Sequence, residues 1–170
     1  MNARRYYGKY RGTVALNVDP MMKGRIQCFV QEVFGATPSG WAMPCFPFAG
    51  IQTGAVAIPP IGAGVWVEFE AGDPERPIWT GGWYGSAAEV PALSSAAPPG
   101  VANIVLQTLG QVSLMLSDVP GPTGGILLKT ATGAMISIND IGITITNGKG
   151  ATIAMVGKTV TVNEGALAVT

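Results

Sequence analysis

The chain has 170 residues, with ten basic and ten acidic side chains and no histidine. Only 12% of it is charged, against about 25% in an ordinary soluble domain. Without histidine there is no His–Cys or His–carboxylate metal site, no histidine general base, and no Ser-His-Asp or Cys-His hydrolase. The zero net charge argues against a general nucleic-acid coat, and 48% hydrophobic residues argue for packing rather than disorder.

In chain order, Arg11–Asn17 and Arg25–Val33 read as strands around a turn at Asp19-Pro20. Gly54–Ile58 is a short run ended by Pro59-Pro60. Residues 65–70 (VWVEFE) alternate, Val65, Val67 and Phe69 facing one way and Trp66, Glu68 and Glu70 the other. Gly72-Asp73-Pro74 is a turn, and Ile78–Tyr84 a last strand. Five short strands in about 80 residues, with no helical period, suit an OB-type barrel. All thirteen aromatic residues lie at or before Tyr84. The segment 86–102 is small and Pro-rich, as a linker is. It divides the chain into 1–85, a linker at 86–102, and 103–170.

The last part repeats. Glycines recur at 125, 133, 142, 150, 157 and 165, and between them lie alternating segments. One parity is apolar: Ile136 and Ile138, Ile143 and Ile145, Ile153 and Met155, Val160 and Val162. The other is Ser, Thr, Ala and Asn. An earlier pair, Asn103–Thr108 and Gln111–Ser117, has the same character. A strand every eight residues or so, with glycine at the corners, is the pattern of a β-helix or β-prism. A lone sheet of this kind would expose an apolar face and long edges. Three copies around an axis remove both, with the apolar parity filling a narrow lumen, so the pattern predicts a homotrimer. The fold class expected is all-β: an OB barrel followed by a trimeric β-helix or β-prism.

Tyr7-Gly-Lys-Tyr-Arg-Gly-Thr-Val14, Asp19-Pro20 and Gly24-Arg25 resemble the opening of the OB domain of contractile-tail spike proteins. The run from Pro60 to Gly81, with its Val-x-Val-x-Phe strand, Gly-Asp-Pro turn and following Pro-Ile, is the more specific match. The family is the phage baseplate assembly protein V and Vgr-type spike group. The resemblance covers residues 6–84 by motif and 103–170 by architecture. It implies a non-enzymatic trimeric spike on the baseplate of a phage tail or related injection machine. Its OB domains would dock on a hub, and its β-helix would breach the target envelope with transient membrane contact. The chain has no room for a muramidase domain and no histidine for a metal-binding tip. A PAAR-type tip protein, seated on Ala166, Leu167, Ala168, Val169 and Thr170, is the implied alternative. No cofactor, catalytic residue or metal ligand is expected.

Other features have blander readings. Gly157-Lys158-Thr159 lacks the first glycine of a P-loop, with Thr152 in its place, and Gly62-Ala-Gly64 precedes a strand. The acidic group Glu68, Glu70, Asp73 and Glu75 reads as a solvated face rather than a cation site. Trp66, Trp79 and Trp83 can stack nucleobases on an OB surface, or serve barrel packing or a subunit interface. Residues 1–25 hold Arg4, Arg5, Lys9, Arg11, Lys23 and Arg25 against Asp19 alone, interleaved with Tyr6, Tyr7 and Tyr10. A nucleic-acid surface, an acidic protein partner or the acidic strand of a neighbouring subunit all fit that pattern. With the resemblance, the expectation is hub docking through Arg4, Arg5, Tyr6, Tyr7, Lys9, Tyr10 and Arg11, without nucleic acid. The alternative is a single-stranded nucleic-acid-binding OB protein with an oligomerising β stalk. A carbohydrate-binding fibre is disfavoured, because the second half has no aromatic ring for a sugar to stack on. Cys28 and Cys45 read as free, buried thiols of a protein made in the cytosol, and Met1–Tyr10 lacks the apolar core of a signal peptide.

Overall fold

A computed structural model describes residues 4–169. The chain forms two compact units, 1–89 and 90–170. Nearly all regular structure is β.

The first unit contains β1 (Tyr10–Leu16), β2 (Gln27–Phe29), a four-residue helix α1 (Gln31–Phe34), β3 (Met43–Pro44), a hairpin of β4 (Ala49–Gly50) and β5 (Thr53–Gly54), β6 (Gly64–Phe69) and β7 (Pro77–Trp83). Five strands form one sheet in the order β2-β1-β6-β7-β3. β3 runs parallel to β7, and Ile26 and Phe29 bridge to Ala42 and Pro38. The segment 38–44 therefore links β2 back to β7 and closes the barrel. Val65, Val67 and Phe69 are buried, as their alternation predicts, and join Val14, Ile26, Cys28, Val30, Ala42 and Trp79 in the core. Trp79 packs edge-on against Phe46, with centroids 5.5 Å apart, and its indole N–H donates to Gly24 O at 3.1 Å.

Three expectations for this half are corrected. The strand expected at Arg25–Val33 stops at Phe29, and the chain turns into α1, which ends at Gly35 with φ +62°. In the expected run Gly54–Ile58, only Gly54 is in a strand, the hairpin strand β5; the barrel's remaining strand is β3. Both cysteines are free, but only Cys28 is buried. It points inward from β2, and desolvation pushes its thiol up to about 12, which makes it inert. Cys45 follows β3 and is exposed.

The second unit is an antiparallel meander of eight strands in sequence order. They are β8 (Asn103–Gln107), β9 (Ser113–Ser117), β10 (Gly125–Lys129), β11 (Met135–Ile138), β12 (Ile143–Thr146), β13 (Thr152–Val156), β14 (Thr159–Val162) and β15 (Leu167–Val169). Glycine is required at two of the recurrent positions. A Cβ at Gly125 would lie 2.0 Å from Ile138 O, and one at Gly142 2.0 Å from Met155 O. The segment read as a linker is partly built into this unit: the Asn103 amide donates to the carbonyls of Leu93 and Ser94 at 2.9 and 3.2 Å.

Candidate functional site: an open apolar sheet face and a charge-matched basic segment

The strand register aligns the apolar parity into two unbroken columns. One runs Leu106, Leu114, Leu128, Ile136, Ile145, Ile153, Val162, Leu167, each residue directly opposite the next. The second runs Ile104, Leu116, Ile126, Ile138, Ile143, Met155, Val160, with Val169 opposite Val160 in the backbone register. All eight residues expected in the lumen, Ile136 to Val162, belong to these columns. A one-residue slip in any strand would move its pair to the other face, so the hairpin turns and the columns specify the same register. The Asn139 and Asn147 carboxamides help to hold those turns. Asn139 Oδ1 accepts from Ile141 N at 2.9 Å, and Asn147 Oδ1 from Lys149 N at 2.8 Å.

Among the described residues, none closes over these columns. Ile136, Ile138, Ile145, Ile153, Met155 and Val160 are each 36–40% exposed, and Ile143 and Val162 are half-buried. On the other parity, Ser137, Thr144, Ala154 and Thr161 form a column of small residues. At β8–β10 that parity is also apolar, with Val105, Met115 and Leu127 aligned and Met115 buried. This is why β10 was missed in the sequence. In Gly-Ile-Leu-Leu-Lys the alternation is hidden by Leu127, and Ile126 and Leu128 are lumen-type residues that only the register reveals.

The basic segment is matched within its own barrel. Lys9 Nζ lies 2.7 Å from Glu68 and donates to Thr80 Oγ1 at 3.0 Å. Arg5 reaches Ala71 O at 3.4 Å and Asp73 at 3.9 Å. The Arg11 guanidinium lies over both Trp66 and Trp83, 5.7 and 5.2 Å from their centroids. Arg4 stacks on Tyr6 at 5.2 Å. Tyr6 and Tyr10 pack on Phe69, while Tyr7 is 71% exposed. Glu70 is likewise engaged, with Arg76 at 2.6 Å. Of the three tryptophans singled out, Trp79 belongs to the core, and Trp66 and Trp83 share their outer face with Arg11. Sequence reasoning also passed over two apolar loop tips, Met22 and Ile51, which are more than 90% exposed.

Asp19 organises the β1–β2 loop. Its carboxylate accepts from the N–H groups of Met21, Lys23 and Arg25, and from Arg25 Nε and Nη2 at 3.0 and 2.6 Å. Arg25 stacks in turn on Trp41. The Arg25 hydrogen bonds, supported by the three backbone donors, hold the Asp19 carboxyl well below the ordinary carboxylate range. A depressed folded-state value stabilises the fold above the unfolded value, about pH 3.9, and that stabilisation fades as pH falls below it. Asp19→Asn is expected to lower the urea midpoint at pH 7, and the deficit should narrow at pH 3, where the carboxyl is protonated in the unfolded chain while the folded one stays ionised.

At the far end of the meander, β15 pairs with β14 alone. Ala166 and Leu167 are exposed there. Of the other expected tip residues, Ala168 and Val169 are placed only as backbone in β15, and Thr170 lies outside the described residues.

Two family models match this chain. Residues 10–84 match the type VI secretion system/phage-baseplate injector OB domain, and residues 103–168 match the phage baseplate V C-terminal trimerisation domain. No curated protein sequence matches it significantly. Together the two models span most of the chain, which belongs to the phage baseplate V family of injector proteins.

Proposed function

We propose that this chain is the central spike of a contractile injection machine, docking on a hub through its OB domain and breaching a target envelope with its second unit. The observation that carries this reading is the pair of apolar columns, continuous over eight strands and open in the single chain. Three such faces turned inward form a dry-cored prism. Eight strands at about 4.8 Å spacing give a rod on the order of 35 Å long, comparable to the roughly 30 Å hydrocarbon core of a bilayer. The second unit carries only six charged residues, so few ionic groups would be dragged through lipid. The force would come from the contracting sheath, with no chemistry in the spike. β15, as the edge strand, offers unpaired backbone to a separate tip protein of the PAAR kind.

The docking surface proposed on the barrel is the segment Arg4–Arg11, with Arg4, Tyr6 and the exposed Tyr7 foremost. Two of its four cations, Arg5 and Lys9, are paired with Asp73 and Glu68, and the tryptophan faces a base would use are shared with Arg11. Both features favour a protein partner over nucleic acid. The test is co-assembly of the purified trimer with the particle's own hub protein. Arg4→Glu, Arg5→Glu and Lys9→Glu together should weaken hub binding and leave the oligomer intact. Unchanged hub binding, with loss of affinity for an oligothymidylate that the wild type binds at physiological salt, would replace this reading with the nucleic-acid one.

A further inference from the structure

All six charged side chains of the second unit sit at the ends of strands or in the connections. Successive connections of a meander alternate between its two lateral edges. On one edge lie Asp118, in the β9–β10 connection, Asp140, in β11–β12, and Lys158, in β13–β14. On the other lie Lys129, the last residue of β10, Lys149, in β12–β13, and Glu164, in β14–β15. All six are exposed, and among the described residues none makes an ion pair within the chain, whose salt bridges all lie in the first unit.

Read along the stack, the two edges are complementary. Asp118 is matched by Lys129 one strand further on, Asp140 by Lys149 one strand further on, and Lys158 by Glu164 one strand further on. The sign reverses at the third step on both edges together. A shift of one strand the other way would set Lys158 against Lys149. A shift of three strands would set Asp140 against Glu164. Of these offsets, only a shift of one strand in the first sense pairs opposite charges at all three levels.

We infer that these six residues form an inter-subunit ladder, in which the Asp118/Asp140/Lys158 edge of one copy meets the Lys129/Lys149/Glu164 edge of the next. The occupant of each edge is a second copy of this chain. In a closed three-copy ring each left edge faces a neighbour's right edge, so one set of pairs repeats at all three joints. One strand spacing, about 4.8 Å, is within the span of a lysine side chain. The apolar columns supply cohesion but are nearly uniform along the stack, so they resist axial sliding weakly. The ladder supplies the missing register, as charges flanking a coiled-coil seam do. This inference rests on the trimeric reading.

The test is a charge-reversal cycle on the full chain, using two exposed turn residues, with Asp140→Asn as the control for the hydrogen bond that Asp140 Oδ2 accepts from Gly121 N at 2.7 Å. Asp140→Lys and Lys149→Asp alone each place like charges at all three joints. Each should speed subunit dissociation, followed by native mass spectrometry at low salt, by roughly tenfold or more. The double variant, which restores opposite signs with the polarity exchanged, should return the rate to near the wild-type value. In 1 M salt, where the Debye length is about 3 Å, the differences should shrink. Single variants that dissociate like the wild type, or a double variant no better than the product of the two singles, would overturn the ladder while leaving the trimer standing. A monomeric wild type would overturn the trimeric reading itself.

Discussion

Ile143→Asp is expected to leave the purified chain monomeric. Ile143 lies in the middle of the second apolar column, directly opposite Ile138 and Met155. Burying one isoleucine side chain contributes about 1.5–3 kcal/mol, and a trimer loses that contribution three times. The larger effect is electrostatic, because three carboxylates would meet around one axis in a dry lumen with no cation to pair them. Thr144→Asp supplies the control. Its position is on the opposite parity, in the small-residue column between Ser137 and Ala154, and it should assemble normally. Light scattering of the two variants side by side checks the difference. Equal assembly would mean that the apolar columns do not form the interface.

Trp79→Ala is expected to cost the barrel about 3–5 kcal/mol, the range for deleting a buried tryptophan. Trp79 is buried in β7, the strand that joins β6 to the closing segment through β3. Its removal leaves a cavity against Phe46 and orphans the carbonyl of Gly24. Thermal melting should show the aromatic-rich first unit unfolding far earlier. The second unit has no aromatic residue, so the near-ultraviolet signal isolates the barrel, while trimer content by native mass spectrometry reports on the meander. A single shared transition shifted as a whole would show that the two units do not melt separately.

Much of this was legible in the sequence because alternation survives where a strand has one wet face. Val65, Val67 and Phe69 declared the barrel core in this way, and the Ile/Val/Met parity from Ile136 to Val162 declared the open face. Legibility failed where that condition failed. β10 hid behind an apolar Ile-Leu-Leu run whose two faces are both non-polar. β3 is two residues long and contains a proline, so no period exists to read. The charge of residues 1–25 was legible as a sum but not as a surface. Lys9 and Arg5 find Glu68 and Asp73 across the barrel, about sixty residues away in sequence, and no local pattern announces such pairs. The edge charges of the meander were invisible for the related reason that sidedness depends on counting every strand, including the missed β10.

The central claim is that three copies close their apolar sheet faces on one another. Native mass spectrometry of the wild-type chain, diluted to low concentration, tests it directly. The account predicts one dominant species of three times the 17.5 kDa chain mass, persisting on dilution. A stable, folded species of 17.5 kDa would contradict it.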